Sequence, residues 1–95
     1  MYEMKKVLIL GAGVYQVPLI RKAADMGHYV CAASWSAGDP GMQLAHEPWV
    51  VDVTDSNRLL HLAKARDIEA VVTSGTDVCM PSMGSICDEL GLPGV

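Results

Sequence analysis

Lys6-Val-Leu-Ile-Leu-Gly-Ala-Gly-Val-Tyr-Gln-Val-Pro18 is the stretch that decides the fold. Val7 to Leu10 is a short apolar run of the kind that forms a buried strand, and Gly11-Ala12-Gly13 turns the chain sharply out of it. An amphipathic helix is expected to begin near Val14 or Tyr15. The glycines let the backbone approach a ligand closely, and a helix N-terminus offers unpaired N–H groups at the positive end of its dipole. Strand, glycine turn and helix in that order open an α/β sheet of the nucleotide-binding type.

Working outward, Val17, Ile20 and Ala24 recur at helical spacing, with Arg21, Lys22 and Asp25 on the opposite side. Pro18 is tolerated because it falls in the first turn, and Gly27 takes the C′ position that ends the helix. His28 to Ser34 reads as a second strand, apolar enough to be interior rather than an edge. Trp35 to Gly41 is a loop by composition, and Met42 to His46 a short helical turn. Pro48 introduces a third strand, Trp49 to Val53. Thr54 or Asp55 caps a second helix whose inward stripe is Leu59, Leu62 and Ala63. Ile68 to Thr73 is the fourth strand, Ser74-Gly-Thr-Asp77 a second tight turn. A last helix carries Cys79, Met83, Ile86, Cys87 and Leu90 on one face, with Gly91 as its cap and Pro93 as its stop.

This succession calls for a parallel sheet with right-handed crossovers. The expected architecture is a Rossmann-like, three-layer half sheet of about four parallel strands in the order 3-2-1-4, with helices on both faces. In that order the turns at residues 11–16 and 74–77 meet at the carboxyl edge of the sheet, beside the topological switch point where such folds bind ligands.

The chain has 95 residues, half of them hydrophobic, enough for one domain and one core. A formal charge of −4 and an isoelectric point near 5.1 argue against nucleic acid as a partner. No apolar run reaches the roughly 18 residues of a membrane span, and the apolar part of residues 1–10 is too short for a signal peptide. Cys31, Cys79 and Cys87 are odd in number and lack metal-ligand spacing, which suits a reducing cytoplasm. Cys79 and Cys87 read as core residues. His28, His46 and His61 form no ligand pair, so no metal site is expected.

The dinucleotide fingerprint needs a small residue three positions after the second glycine and an acid near the end of the second strand. Here Gln16 stands at the third position, and no acid follows Ser34 until Asp39. Both departures count against NAD or FAD. A tight structural turn is the bland alternative for Gly11 and Gly13, as helix capping is for Ser74, Thr76 and Asp77. Trp35 is a candidate pocket wall, Trp49 a packing residue, and Asp52 and Asp55 capping residues.

Taken together, residues 6–13 with Tyr15-Gln-Val-Pro-Leu-Ile20, Pro40-Gly-Met-Gln-Leu-Ala45, Val51-Asp-Val-Thr-Asp55, Ala70-Val-Val-Thr-Ser-Gly-Thr-Asp77 with Pro81, and Glu89-Leu-Gly-Leu-Pro-Gly94 resemble the N-terminal domain of ATP-grasp ligases. The resemblance is to the branch similar to the carbamoyl-phosphate synthase large subunit, and His46 departs from an aspartate more usual there. It implies a pre-ATP-grasp domain spanning residues 1–95, the ATP-grasp and C-terminal domains lying beyond it. Such ligases turn a carboxylate into an acyl phosphate that an amine or other nucleophile attacks. ATP and magnesium bind in the domains beyond, so no cofactor is expected on this chain and no catalysis by it alone. Carried over by position, Gly11, Gly13, Tyr15, Gln16, Ser74, Gly75, Thr76 and Asp77 face the substrate. The implied partners are a small carboxylate substrate and the ATP-grasp domain or a partner subunit, with a homodimer through exposed surface as a further expectation. Two rivals stay open: a stand-alone dinucleotide-binding or regulatory module, and an interaction domain using the exposed sheet edge.

Overall fold

The computed structural model describes residues 4–14, 16–72 and 91. Four strands, β1 (Lys6–Leu10), β2 (Tyr29–Ser34), β3 (Glu47–Val50) and β4 (Ala70–Val72), form one parallel sheet in the order β3-β2-β1-β4. The expected strand order is the observed one. Helix α1 (Val17–Asp25) crosses from β1 to β2, and α2 (Ser56–Ala65) from β3 to β4, with a 3-10 turn, Pro40–Gln43, between β2 and β3.

Alternation along the two interior strands builds the core. Val7, Ile9, Val30 and Ala32 point to one face, where Ile20 of α1 and Met42 of the 3-10 turn cover them. Leu8, Leu10, Cys31 and Ala33 point to the other, against Leu59 and Ala63 of α2 with Trp49, Val51, Ile68 and Val71. Burial on both faces is why β1 and β2 read as continuous apolar runs. Leu62, expected in the inward stripe of α2, is only partly buried beside that cluster.

Both helices end in a Schellman motif. His28 N–H donates to Ala23 O at 3.1 Å and Gly27 N–H to Ala24 O at 2.9 Å, with Gly27 at φ +85°. In α2 the same pair of bonds, Ile68 to Ala63 and Asp67 to Lys64, places Asp67 at φ +56°. At the other end of α2, Asp55 is the cap, accepting from Arg58 N–H at 3.2 Å.

Four expected boundaries are corrected. Helix α1 starts at Val17, not near Val14 or Tyr15, because Gln16 N–H first closes a turn onto Gly13 O at 3.0 Å and Pro18 sits in the first helical turn. The short helical turn spans Pro40–Gln43, not Met42–His46; Pro40 starts it and Gly41 N–H anchors it to Ala12 O. Strand β3 is Glu47–Val50, not Trp49–Val53, and it contains Pro48 rather than following it. A proline fits there because β3 is an edge strand, where one side of the backbone has no ladder to complete. Strand β4 starts at Ala70 rather than Ile68, since Ile68 is still engaged in closing α2. Expectations for Thr73 and for the last helix fall outside the described residues.

A polar network pins the amino edge of the sheet. Glu47 Oε2 accepts from Trp49 Nε1 at 2.7 Å and Arg66 Nε at 2.9 Å, while Oε1 accepts from Tyr29 Oη at 3.1 Å and pairs with Arg66 Nη2. The Arg66 guanidinium holds the Glu47 carboxyl well below its usual range, at about 2, and the same carboxylate pushes the Tyr29 hydroxyl up. Lys6 Nζ donates to Arg66 O at 2.7 Å and lies 5.6 Å from the Tyr29 ring centroid. His46 is structural here as well. Its Nδ1 accepts from Val30 N–H at 3.0 Å, and its ring stacks on Tyr29 at 5.2 Å.

Candidate functional site

The glycine turn leaves β1 at the carboxyl edge of the sheet. Gly11 N–H donates to Ala33 O at 2.8 Å, extending the β1–β2 ladder by one bond before the chain turns at φ +96°. That left-handed backbone is open to glycine and strained for any residue with a Cβ. Gln16 closes the far side of the turn and is 6% exposed. A Cβ added to Gly11 would lie 3.4 Å from Gln16 Cδ, and one added to Gly13 would lie 3.3 Å from Gln16 Oε1. The amide of Gln16 thus lies at contact distance over the side of both glycines where a Cβ would stand.

Beyond Gln16, the first-turn N–H groups of Val17 and Leu19 precede any intrahelical acceptor, and Pro18 between them has none to give. These two donors and the helix dipole suit a small anion such as a carboxylate at the mouth of the turn.

The loop after β2 is drawn toward the same edge. Gly41 N–H donates to Ala12 O at 2.7 Å, which seats the 3-10 turn on the glycine turn. Asp39, the first acid after β2, is engaged by the Ser34 hydroxyl, and Ser36 N–H also reaches Ser34 Oγ at 3.4 Å. Asp39 therefore braces its own loop, with Ser34 buried beneath it. Trp35 is 79% exposed and walls no pocket among the described residues. Asp52 closes the turn after β3, accepting from Thr54 N–H at 2.9 Å and Thr54 Oγ1 at 2.7 Å. Both hydrogen bonds hold its carboxyl below the usual range.

Of the sequence-derived site residues, the structure brings Gly11, Gly13 and Gln16 together. Tyr15, Ser74, Gly75, Thr76 and Asp77 lie outside the described residues. Val72, the end of β4, is paired with Ile9 of β1 at this same edge. A separate shallow depression on α2, lined by Asp55, Asn57, Arg58, His61 and Leu62, is away from the turn and gathers no convergent set of groups. Among the described residues no group of three His, Cys, Asp or Glu side chains is placed to hold a metal ion, and no helix is long and apolar enough to cross a membrane. The buried Cys31 thiol is pushed up to about 11 by burial, so it is no nucleophile.

Sequence reasoning missed Gly41, which abuts the glycine turn and has no room for a side chain. Its signal was available: a glycine directly after Pro40 and before a buried methionine. It also missed the Glu47–Arg66 pair, 19 residues apart in sequence, for which no local pattern exists.

No family model matches the chain. By sequence it is 31% identical over 72 residues to the formate-dependent phosphoribosylglycinamide formyltransferase of Bacillus subtilis, a match covering 76% of this chain and 19% of that protein. By structure it is similar to phosphoribosylglycinamide synthetase from Anaerococcus prevotii, with a TM-score of 0.84 and 29% identity over 96% of this chain and 23% of that one. It is also similar to N5-carboxyaminoimidazole ribonucleotide synthetase from Thermotoga maritima, with a TM-score of 0.79 and 25% identity over 96% of this chain and 24% of that one. The chain thus spans between 19% and 24% of the length of these relatives. With its parallel 3-2-1-4 sheet and glycine turn, the chain matches the N-terminal, pre-ATP-grasp domain of ATP-grasp ligases.

Proposed function

We propose that the chain is the substrate-side domain of an ATP-dependent, cytoplasmic carboxylate–amine ligase that works through an acyl phosphate. One observation carries the reading: a glycine turn at the switch edge of the sheet opens onto first-turn N–H donors of α1. Such a wall of backbone donors suits a carboxylate or an acyl phosphate. The names of the relatives, a formate-dependent formyltransferase and two synthetases, fit a reaction that activates a small acid. Carbamoyl-phosphate-type chemistry is the narrower form of the same proposal. The residues offered for the wall are Gly11, Gly13, Tyr15 and Gln16, with Ser74, Gly75, Thr76 and Asp77 from the turn after β4.

The described residues do not fit ATP or magnesium themselves: Gln16 lies over the turn, and the acids nearby are engaged, Asp39 with Ser34, Asp52 with Thr54 and Asp55 as the cap of α2. Nucleotide, metal and phosphoryl transfer are assigned to an ATP-grasp domain, either further along the polypeptide or on a partner subunit. The role left to this chain is to bind and orient the acid.

Two measurements test this together. The reading frame is expected to continue past Val95 into ATP-grasp motifs, and its full product to hydrolyse ATP only when an acid and an amine are both present. The 95-residue chain is expected to hydrolyse none. A frame closing at Val95 without a neighbouring ATP-grasp gene, together with micromolar NAD(P) binding by the chain, would replace the proposal with a stand-alone dinucleotide module.

A further inference from the structure

We infer that Gln16 determines what the glycine turn accepts, because its side chain lies over the turn and closes it to the diphosphate of a nucleotide. In a dinucleotide-binding turn the second glycine leaves its Cβ position empty so that the diphosphate can approach the backbone, and the third position is small. Here Gln16 lies one contact distance beyond those Cβ positions, so a group larger than a methyl approaching from that side meets its amide. Gln16 Oε1 lies 3.3 Å from where the Cβ of Gly13 would be, and Cδ, Cγ and Nε2 of the same side chain lie 3.4, 3.5 and 3.6 Å from where that of Gly11 would be. The residue is buried, at 6% exposure.

Occupancy is only part of the exclusion. The atom facing Gly13 is the amide oxygen, an acceptor at the negative end of the amide dipole, so a phosphate oxygen arriving there would find no donor. The backbone of Gln16 is fixed at both ends. Its N–H is bonded to Gly13 O at 3.0 Å, and its carbonyl accepts the first helical bond from Ile20 N–H at 3.0 Å. To admit a diphosphate the side chain must leave a buried place without any movement of its own Cα. A small acid at the Val17 and Leu19 N–H groups requires no such displacement.

The inference stands apart from the substrate-side reading: it concerns what the turn rejects, and a reading frame without ATP-grasp motifs would end that reading and leave this one intact. The test compares the 95-residue chain with Gln16→Gly and Gln16→Ala, using ADP and inorganic diphosphate as probes. Amide ¹⁵N shifts of Gly11 and Gly13 report binding, and far-ultraviolet circular dichroism reports the fold. In the unsubstituted chain neither amide is expected to move at millimolar ADP. In Gln16→Gly both are expected to move, with ADP affinity raised at least about tenfold. Gln16→Ala, which also removes the amide oxygen and keeps helix propensity, decides the matter if the glycine variant is unfolded. Folded variants that bind ADP no better than the unsubstituted chain would overturn the inference. Saturable ADP shifts at Gly13 in the unsubstituted chain would overturn it too, and need no variant.

Discussion

Replacing Gly41 with alanine is the sharpest test of how the site is held. Gly41 does not lie in the left-handed region, so alanine brings no backbone strain there. It brings a collision. The added Cβ would lie 2.6 Å from Ile20 Cδ1, 2.7 Å from Ala12 O and 3.0 Å from Ala12 Cα. Two of those atoms are backbone of the glycine turn, which no rotamer change can move, and Ile20 is fully buried. Relief requires the 3-10 turn to lift away, which weakens the 2.7 Å bond from Gly41 N–H to Ala12 O. Overpacking of this sort costs about 1–3 kcal/mol, and a strained or lost hydrogen bond about 1 kcal/mol more. For a domain of this size, a loss of about 2–4 kcal/mol lowers the melting temperature by about 10–25 °C. Gly38→Ala is the control, since its added Cβ meets only Ser36 Oγ at 3.7 Å and is expected to be neutral or slightly stabilising. Urea unfolding followed by circular dichroism reads both variants. A Gly41→Ala midpoint equal to that of the unsubstituted chain, or an equal loss for Gly38→Ala, would refute the contact between the 3-10 turn and the glycine turn.

Asp67→Gly is expected to stabilise the chain by about 0.5–1 kcal/mol in the same assay, because a glycine adopts φ +56° without the cost that a Cβ imposes. Asp55→Ala removes the cap of α2 and is expected to cost about 1 kcal/mol in denaturant unfolding. Glu47 has a folded-state pKa of about 2 against an ordinary value near 4.5, so its contribution is complete above the ordinary value and is lost as pH falls toward about 2. Glu47→Gln is therefore expected to flatten the stability–pH profile between about pH 5 and 2, and an unchanged acid limb would refute the pairing with Arg66. In a variant retaining only Cys31, the thiol pushed up to about 11 is expected to react with a disulfide reagent about a hundredfold more slowly when folded than when unfolded, two pH units of thiolate suppression read spectrophotometrically.

What the sequence disclosed was whatever a local pattern records. Val7–Leu10 followed by Gly11-Ala-Gly13 announced a central parallel strand and its turn, and the apolar run through Cys31 announced another interior strand; both lie where expected. Gly27 at C′ and Asp55 at the cap of α2 were equally legible, since each motif is confined to a few residues. The failures share a different origin. Pro48 was placed just before the third strand rather than in it, because the edge position that tolerates it is a property of the assembled sheet, not of residues 47–50. Asp67 in the left-handed region carried no glycine to announce it. The first turn of α1 was placed two or three residues too early because Gln16 N–H first closes a turn onto Gly13 O, a bond that spacing does not reveal. For the candidate site, the sequence identified Gly11, Gly13 and Gln16 as a group, but not that the Gln16 amide lies over the two glycines.

The two edges of the sheet are built on different principles, and the contrast bears on where a ligand belongs. At the amino edge nearly every polar group is matched within the chain: Glu47 takes bonds from Tyr29, Trp49 and Arg66, Lys6 caps the end of α2, and His46 closes onto Val30. A ligand there would have to displace bonds that already hold β3 to β2 and to the end of α2. At the carboxyl edge the polar groups turn inward to brace their own loops, as Ser34 and Asp39 do, while Val14 (67% exposed), Trp35 (79%) and Val50 (56%) face outward. Val14 and Trp35 stand outside the strands and Val50 ends β3, and side chains as exposed as the first two contribute little to the fold they extend from. Replacing Val14 or Trp35 singly with serine is therefore expected to change the unfolding free energy of this chain by no more than about 0.5 kcal/mol, the size of an ordinary surface change. A larger loss would mean that this edge packs onto the chain itself and is not available to a ligand or a neighbouring domain.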